Sequence, residues 1–176
     1  MFVEASFRHD CARPHGGQSR GLRAVVDFIK CGDDVSRSEI SYMIQLDRIQ
    51  PEGLPIRRLN GHVLYSHVVA VTGGRTIYVS GQLSRDQSGK IVGVGDMGAQ
   101  IEQIATNIAK CLAAAGASFD NLVKTTTYVT DIDLFFRYAD MRARIFGSSP
   151  ATSTTVEVRR LSHPDFLVEI DAVAVI

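Results

Sequence analysis

The sequence predicts an α+β domain in which two helices cover one face of a β-sheet, and three observations indicate it. Runs rich in β-branched residues alternate with two segments of helical periodicity. Their order along the chain is strand, strand, helix, strand, helix, strand, strand. Because two helices can cover only one face of such a sheet, the other face must meet water or another subunit. Its Val, Tyr and Thr side chains favour packing between subunits.

The C-terminal stretch Thr152–Ile176 predicts two strands joined by a short turn. Residues 152–161 are rich in Thr and Val, which suit a pleated, half-buried surface. Residues 166–176 alternate apolar and polar side chains, which is typical of a strand with one buried face. Glu169 and Asp171 fall on its polar side. Either they form a solvent-facing row, or one of them lines a cleft and handles protons.

Periodic apolar residues predict the two helices. The first helix follows Asp96, a suitable N-cap residue, and keeps apolar residues at spacings of three and four. Cys111 lies on that apolar face, which favours a small core residue over a nucleophile. The second helix covers Leu134–Phe146, with Asp131 or Asp133 as its cap.

The earlier strands are less regular. His62–Val71 and Arg75–Gln82 are strand-like runs separated by a short gap that contains two glycines, which predicts a hairpin. Leu122–Thr130 is a further β-branched strand.

Residues 1–42 differ from the rest because they are polar and rich in Gly and Pro, with no sustained period. We expect them to form a disordered or loosely attached extension, or to be an over-extended reading frame with Met43 as the true start. The folded domain is therefore predicted to span residues 43–176.

Composition excludes several function classes. A net charge of zero and a pI near 7.0 disfavour nucleic acid and anionic membranes as partners. Three cysteines without CxxC spacing and five histidines without ligand spacing predict neither a disulfide framework nor a metal site. No apolar run approaches the ~20 residues of a membrane helix, and no signal peptide is evident, so we expect a cytoplasmic protein.

Four groups of residues, in one order from Ile49 to Ile176, carry a family resemblance. They are Tyr65-Ser66 with Ile77–Gln82; Gln100, Asn107 and Leu112 with Ala115–Ala117; Leu122–Thr126 with Tyr128–Asp131; and Pro150, Val156–Val158 and Leu161 with Leu167–Ala172. In this combination the chain resembles the Rid family, also called YjgF-like or RidA-related and formerly described as L-PSP endoribonucleases.

The resemblance implies a mixed β-sheet with two helices packed on one face, the chorismate-mutase-like (YjgF) fold. It also implies a homotrimer with three clefts between subunits. The best-studied relatives hydrolyse 2-enamine and 2-imine intermediates released by pyridoxal-phosphate enzymes, giving a 2-keto acid and ammonia. No cofactor or metal takes part in that reaction.

Four site residues follow from matching positions. Tyr65 matches the family's cleft tyrosine, Ser80 and Gly81 match a strand-end pair at the pocket floor, and Glu169 matches the acid that positions or activates water. The resemblance thus implies catalytic roles for Glu169 and Tyr65 and substrate contacts for Ser80 and Gly81. Without it, Tyr65 would be an ordinary strand aromatic and Glu169 a solvated acid.

The chain departs from the family where an arginine normally binds the substrate carboxylate. Ser153 stands at that position, or Thr152 if the alignment keeps the preceding proline, and neither can form the bidentate contact. Arg159 lies six residues beyond Ser153, about 20 Å along a strand, and is a poor substitute. Ala139 is the nearest match to the family's asparagine in the second helix.

We therefore expect little activity on small 2-imino acids. Ser153 and Thr155 would enlarge the cleft and offer hydroxyl groups to a different substrate. The leading hypothesis is hydrolysis of another enamine or imine; the alternative is a non-catalytic trimer that binds a metabolite or a partner protein. Ribonuclease activity is disfavoured because the charge is neutral and no basic groove with paired histidines is evident.

Overall fold

A computed structural model of the chain describes residues 44–146 and 150–176. The predicted extension 1–42 lies outside the described residues and stays a prediction. Within the described part, no helix is both long and apolar enough to cross a membrane.

The strands and α-helices, in chain order, are β1 (Gln45–Ile49), β2 (Arg58–Leu59), β3 (His62–Val63), β4 (Val68–Thr72), β5 (Thr76–Gln82), α1 (Met97–Ala114), β6 (Leu122–Val129), α2 (Ile132–Phe136), α3 (Ala139–Phe146), β7 (Thr152–Glu157) and β8 (Val168–Val175).

The main sheet is mixed, as predicted, and has four strands in the order β5-β8-β6-β7. Strand β8 pairs antiparallel with both β5 and β6, whereas β7 pairs parallel with β6. The two closing strands of the sequence, β7 and β8, are therefore not neighbours, because β6 lies between them. A two-stranded pair of β1 and β4 and a small hairpin of β2 and β3 accompany the sheet.

The predicted hairpin between residues 62–71 and 75–82 is wrong. Strand β4 pairs with β1, and β5 pairs with β8. The start of the predicted first strand belongs to the β2–β3 hairpin, where Asn60 and Gly61 both have positive φ, as an Asn-Gly turn requires. Alternation and turn residues indicate where strands form, but they do not identify the partner of each strand.

Helix α1 packs its predicted apolar face on the sheet. Its N-cap Asp96 accepts a hydrogen bond from the Ala99 N–H at 3.0 Å, as expected. Complete burial of an Ile or Leu side chain contributes about 1.5–3 kcal/mol, so this face anchors the domain. Cys111 packs against the same core, as predicted. The fully buried residues of this interface are Ile101, Ile104, Ile108, Leu112, Val168, Ile170, Ala172 and Ala174.

The predicted second helix is divided into α2 and α3. Asp131 caps α2 by accepting from the Leu134 N–H at 2.8 Å, and Phe135 is fully buried. Between the two helices, the Tyr138 ring lies so close to Gly98 of α1 that a Cβ there would come within 2.7 Å of it. Because Gly98 permits this approach, Tyr138 packs against the start of α1 and α3 is directed toward the β2–β3 hairpin, which it contacts.

Candidate functional site

A cavity of about 580 Å³ lies between α3, the β2–β3 hairpin and the helix-side face of β6 and β7. Three of the predicted site residues, Tyr65, Ser153 and Thr155, line it. Ser153 and Thr155 are in register with Thr125 and Thr127, which are buried on the helix side of the sheet. Thr125 Oγ1 lies 3.4 Å from Ser153 Oγ. The sheet therefore gives the cavity a floor of hydroxyl groups.

Tyr65 is fixed at the cavity by its neighbours. The Ser66 hydroxyl donates to the Pro150 carbonyl at 2.6 Å, and the Ser66 N–H donates to the Ala151 carbonyl at 3.0 Å. The Gln50 side-chain amide donates to the Tyr65 carbonyl at 2.9 Å. These bonds join the segment containing Tyr65 to the chain entering β7, so Tyr65 and Ser153 share one wall.

Four arginines line the same cavity, and none of them is among the site residues predicted from the sequence. They come from elements remote from the family's arginine position, so inspection of β7 alone misses them. Arg159 and Arg160, the cations closest to β7 in sequence, are exposed and lie beyond its end at Glu157. The lining arginines are Arg57, Arg58, Arg137 and Arg142.

Arg142 has the most perturbed environment of these four side chains. Burial, together with the nearby charge of Arg57, lowers the pKa of the Arg142 guanidinium to about 10. Its Cζ atom lies 4.3 Å from the centroid of the Phe135 ring, a cation–π contact. Its Nε atom is buried and has no hydrogen-bond partner among the described residues. At neutral pH this side chain is therefore a partly buried cation with an unused Nε donor.

Glu169 lies on the other face of the sheet. Ile170, its neighbour on β8, lines the cavity, so the alternation of the strand directs Glu169 to the opposite side. The register of β5 and β8 shifts between Val79 and Gln82, and Gly81 lies against the Glu169 side chain there. A Cβ at Gly81 would collide with the Glu169 carboxyl group. Because Gly81 has no side chain, it leaves room for the Glu169 carboxyl group at this position.

Two neighbours complete this acidic face. Burial first, and then the nearby Asp171, raises the pKa of the Glu169 carboxyl above its usual range. The Tyr128 hydroxyl donates to Asp171 Oδ2 at 3.4 Å, and the negative charge of Asp171 is the main cause of a raised Tyr128 pKa. Ser80 is exposed and precedes Gly81 on β5. Glu169 is thus a half-buried acid whose proton is held more tightly than in water.

Gln100 positions the beginning of β8, although it touches neither part of the site. It is fully buried. Its amide nitrogen donates to the carbonyls of Gly93 at 3.0 Å and Asp165 at 2.7 Å, while its oxygen accepts from the Leu167 N–H at 2.9 Å. Since Leu167 directly precedes β8, Gln100 fixes that strand against α1.

The predicted site residues thus form two groups in one chain. Tyr65, Ser153 and Thr155 line the cavity, whereas Ser80, Gly81 and Glu169 lie outside its lining. Among the residues that the structure describes, no group of three or more His, Cys, Asp or Glu side chains could hold a metal ion. Chemically, the arrangement offers a cationic, hydroxyl-lined cavity on one face and a proton-holding carboxyl on the other.

Comparison with known proteins identifies the family to which this chain belongs. The family model described as Endoribonuclease L-PSP matches residues 56–176. The chain belongs to this family, which includes the YjgF and RidA proteins, as the sequence resemblance predicts.

Individual relatives agree with that assignment. Over 111 residues the chain is 36% identical to Protein DfrA from Myxococcus xanthus, covering 63% of this chain and 84% of the relative. Over 112 residues it is 40% identical to the 2-iminobutanoate/2-iminopropanoate deaminase of Bos taurus, covering 63% and 79%. The crystal structure of YyfB, of the conserved Rid protein family from Yersinia pestis, superposes with a TM-score of 0.65 at 30% identity, covering 74% of this chain and 98% of YyfB.

Proposed function

We propose that the protein is a RidA-like hydrolase that converts a reactive enamine or imine into a carbonyl compound and ammonia. In this reaction water adds to the carbon of the C=N bond, the C–N bond breaks, and the nitrogen leaves as ammonia. Glu169 is the observation that carries the proposal, because a partly buried carboxyl beside Gly81, with a pKa raised by burial, is suited to exchange protons with a water molecule. A cytoplasmic location would suit such an intermediate.

A complete site requires a second copy of the chain. Tyr65, Ser153 and Thr155 face the cavity and Glu169 faces away from it, so in the proposed site the carboxyl group comes from a neighbouring chain and not from the chain that forms the cavity. The open face of the sheet carries Tyr78, whose side chain is 80% exposed. An exposed aromatic on an uncovered sheet face supports burial between subunits. A homotrimer with clefts between subunits is the assembly we propose.

The substrate is proposed to be larger than 2-iminopropanoate. Ser153 stands where the imine-hydrolysing relatives have an arginine, so a short 2-imino acid lacks its bidentate partner there. Ser153 and Thr155 offer hydroxyl groups to the substrate instead. A volume of about 580 Å³ falls within the range of about 300–1,000 Å³ that is typical of ligand pockets. It exceeds what a three-carbon imino acid would fill.

The test is hydrolysis of imines generated in situ by amino-acid oxidases, with keto-acid release compared against buffer. The panel contains 2-iminopropanoate and 2-iminoglutarate, a larger imine with a second carboxylate. We expect turnover of the larger imine and weak turnover of 2-iminopropanoate, which Ser153→Arg should increase. Glu169→Gln should reduce turnover by about 10²- to 10⁴-fold.

The control is Glu102→Gln, which changes an exposed carboxyl group on α1 and should leave the rate unchanged. Full activity in Glu169→Gln would reject the proposed role of Glu169. Rates equal to buffer for every imine would favour the alternative, a non-catalytic trimer that binds a metabolite or a protein.

A further inference from the structure

The cavity has an excess of positive charge on one wall. Its lining contains four arginines and a single acidic residue, Asp140. Asp140 Oδ1 accepts a hydrogen bond from the Asn60 amide at 2.7 Å, and Asp140 forms no ion pair with the described arginines. Across residues 44–146 and 150–176, the ion pairs do not include any of the four arginines. The part of the chain that the structure describes therefore supplies no ion-pair partner for these arginines.

Arg142 and Arg57 lie close enough to repel each other. The charge of Arg57 contributes to the lowered pKa of Arg142. Each guanidinium lies over an aromatic ring instead of a carboxylate: Arg57 Cζ is 5.3 Å from the Phe136 centroid, and Arg142 Cζ is 4.3 Å from that of Phe135. Holding two like charges together with a buried, unbonded Nε is costly unless an anion joins them.

We infer that Arg142 and Arg57 bind an anionic oxygen group, a carboxylate or a phosphate, of the molecule that occupies the cavity. Paired guanidinium groups suit such a group because their planar N–H donors match its oxygens. The hydroxyls of Ser153 and Thr155 lie on the sheet floor of the same cavity, whereas these arginines come from α3 and from the residue preceding β2. The anion would thus be anchored at a different wall from the one the family resemblance indicates.

Together with the proposed function, this assigns the substrate class. The substrate would be an imine or enamine with an anionic group directed away from β7 and toward α3. That assignment to a substrate rests on the proposed function, but the binding site does not. The experiment therefore measures binding without turnover, so that hydrolysis can fail while anion binding succeeds, or the reverse.

The experiment is a thermal-unfolding titration of the full chain in low-salt buffer with succinate, inorganic phosphate, or sodium chloride at matched ionic strength. A ligand that binds only the native state raises Tm with its concentration. We expect a rise with succinate or phosphate that chloride does not reproduce. A succinate response assigns a carboxylate, and a response to phosphate alone assigns a phosphate ester; both support the site. Equal responses to all three salts would overturn it.

Arg142→Met is the decisive variant, because it removes the guanidinium and keeps an unbranched side chain. It should weaken anion binding about tenfold to a hundredfold, since the guanidinium donors that would contact the anion are removed. Arg144→Met, at an exposed position of the same helix, is the matched control and should keep the anion response. Should Arg142→Met fail to fold, the exposed Arg57→Gln provides the same binding test. An undiminished anion response in folded Arg142→Met or in Arg57→Gln would overturn the inference.

Discussion

The two faces of strand β8 use the same backbone for different purposes. On one face Val168, Ile170, Ala172 and Ala174 are buried against α1 and the cavity. On the other face Glu169 is only half-buried and lies beside a second acid. A period of two lets adjacent residues differ completely in environment. Substitutions on the buried face of β8 should therefore change stability, whereas a substitution at the adjacent Glu169 should change the chemistry.

The largest expected effect is on the buried face. Ile170→Ala should lower the free energy of unfolding by about 2–5 kcal/mol, because it removes methylene groups from a side chain that is 1% exposed. Chemical denaturation at equilibrium measures this loss. Lys110→Ala, at an exposed position of α1, is the control and should change stability by less than about 0.5 kcal/mol. Equal losses in the two variants would show that β8 does not carry the core.

A smaller effect on stability, but a large one on activity, is expected at Gly81. In Gly81→Ala the new Cβ collides with the end of the flexible Glu169 side chain, which can move away at little cost to folding. We expect hydrolysis to fall about 100-fold, since a displacement near 1 Å is enough for such a loss. Rate measurements and thermal unfolding of the same sample test this. A normal rate would mean that the place of Glu169 beside Gly81 is irrelevant to chemistry.

The smallest expected effect is the pH dependence of Glu169. Its folded pKa is raised above the unfolded value of ~4.3, so between these values the native state binds more protons than the unfolded state. The contribution of Glu169 to the free energy of unfolding is thus fully present below the unfolded pKa, and it is lost as pH rises through the folded pKa. Glu169→Gln should therefore gain Tm over the parent as pH increases from about 4 to 7.

Asp171→Asn sharpens this test because Asp171 is the second cause of the raised pKa. Removing its charge should reduce the pH-dependent difference between the Glu169→Gln and Glu169 forms without abolishing it, since burial is the larger cause. If the Tm difference between Glu169→Gln and its parent did not change with pH, either with Asp171 or with Asp171→Asn, Glu169 would not be partly desolvated.

Local patterns predict the elements well, and the reason is visible in particular residues. Ile101, Ile104 and Ile108 recur at the period of a helix and are all fully buried. The alternation of β8 is correct at every position from 168 to 174. These features depend on neighbours within a few residues, where sequence and geometry are directly related.

Pairing and the composition of the cavity depend on residues distant in sequence, and there prediction is weaker. Nothing within residues 62–82 indicates that β4 pairs with β1 instead of β5. Arg142 does give a signal, since it occupies a helical spacing shared with the buried Phe135, where an apolar residue is expected. That signal becomes meaningful only when Arg57, 85 positions earlier, is found on the same cavity.

The buried amide of Gln100 has a consequence for exchange of hydrogen with solvent. Leu167 precedes β8 and is not part of a strand, yet its N–H is bonded to the Gln100 oxygen and its carbonyl accepts from the Thr130 N–H. Exchange at this amide requires α1 and β8 to separate locally. The exchange rate of the Leu167 amide therefore reports how often the strand that carries Glu169 opens. Gln100→Glu should raise that rate, because it leaves two carbonyls without a donor.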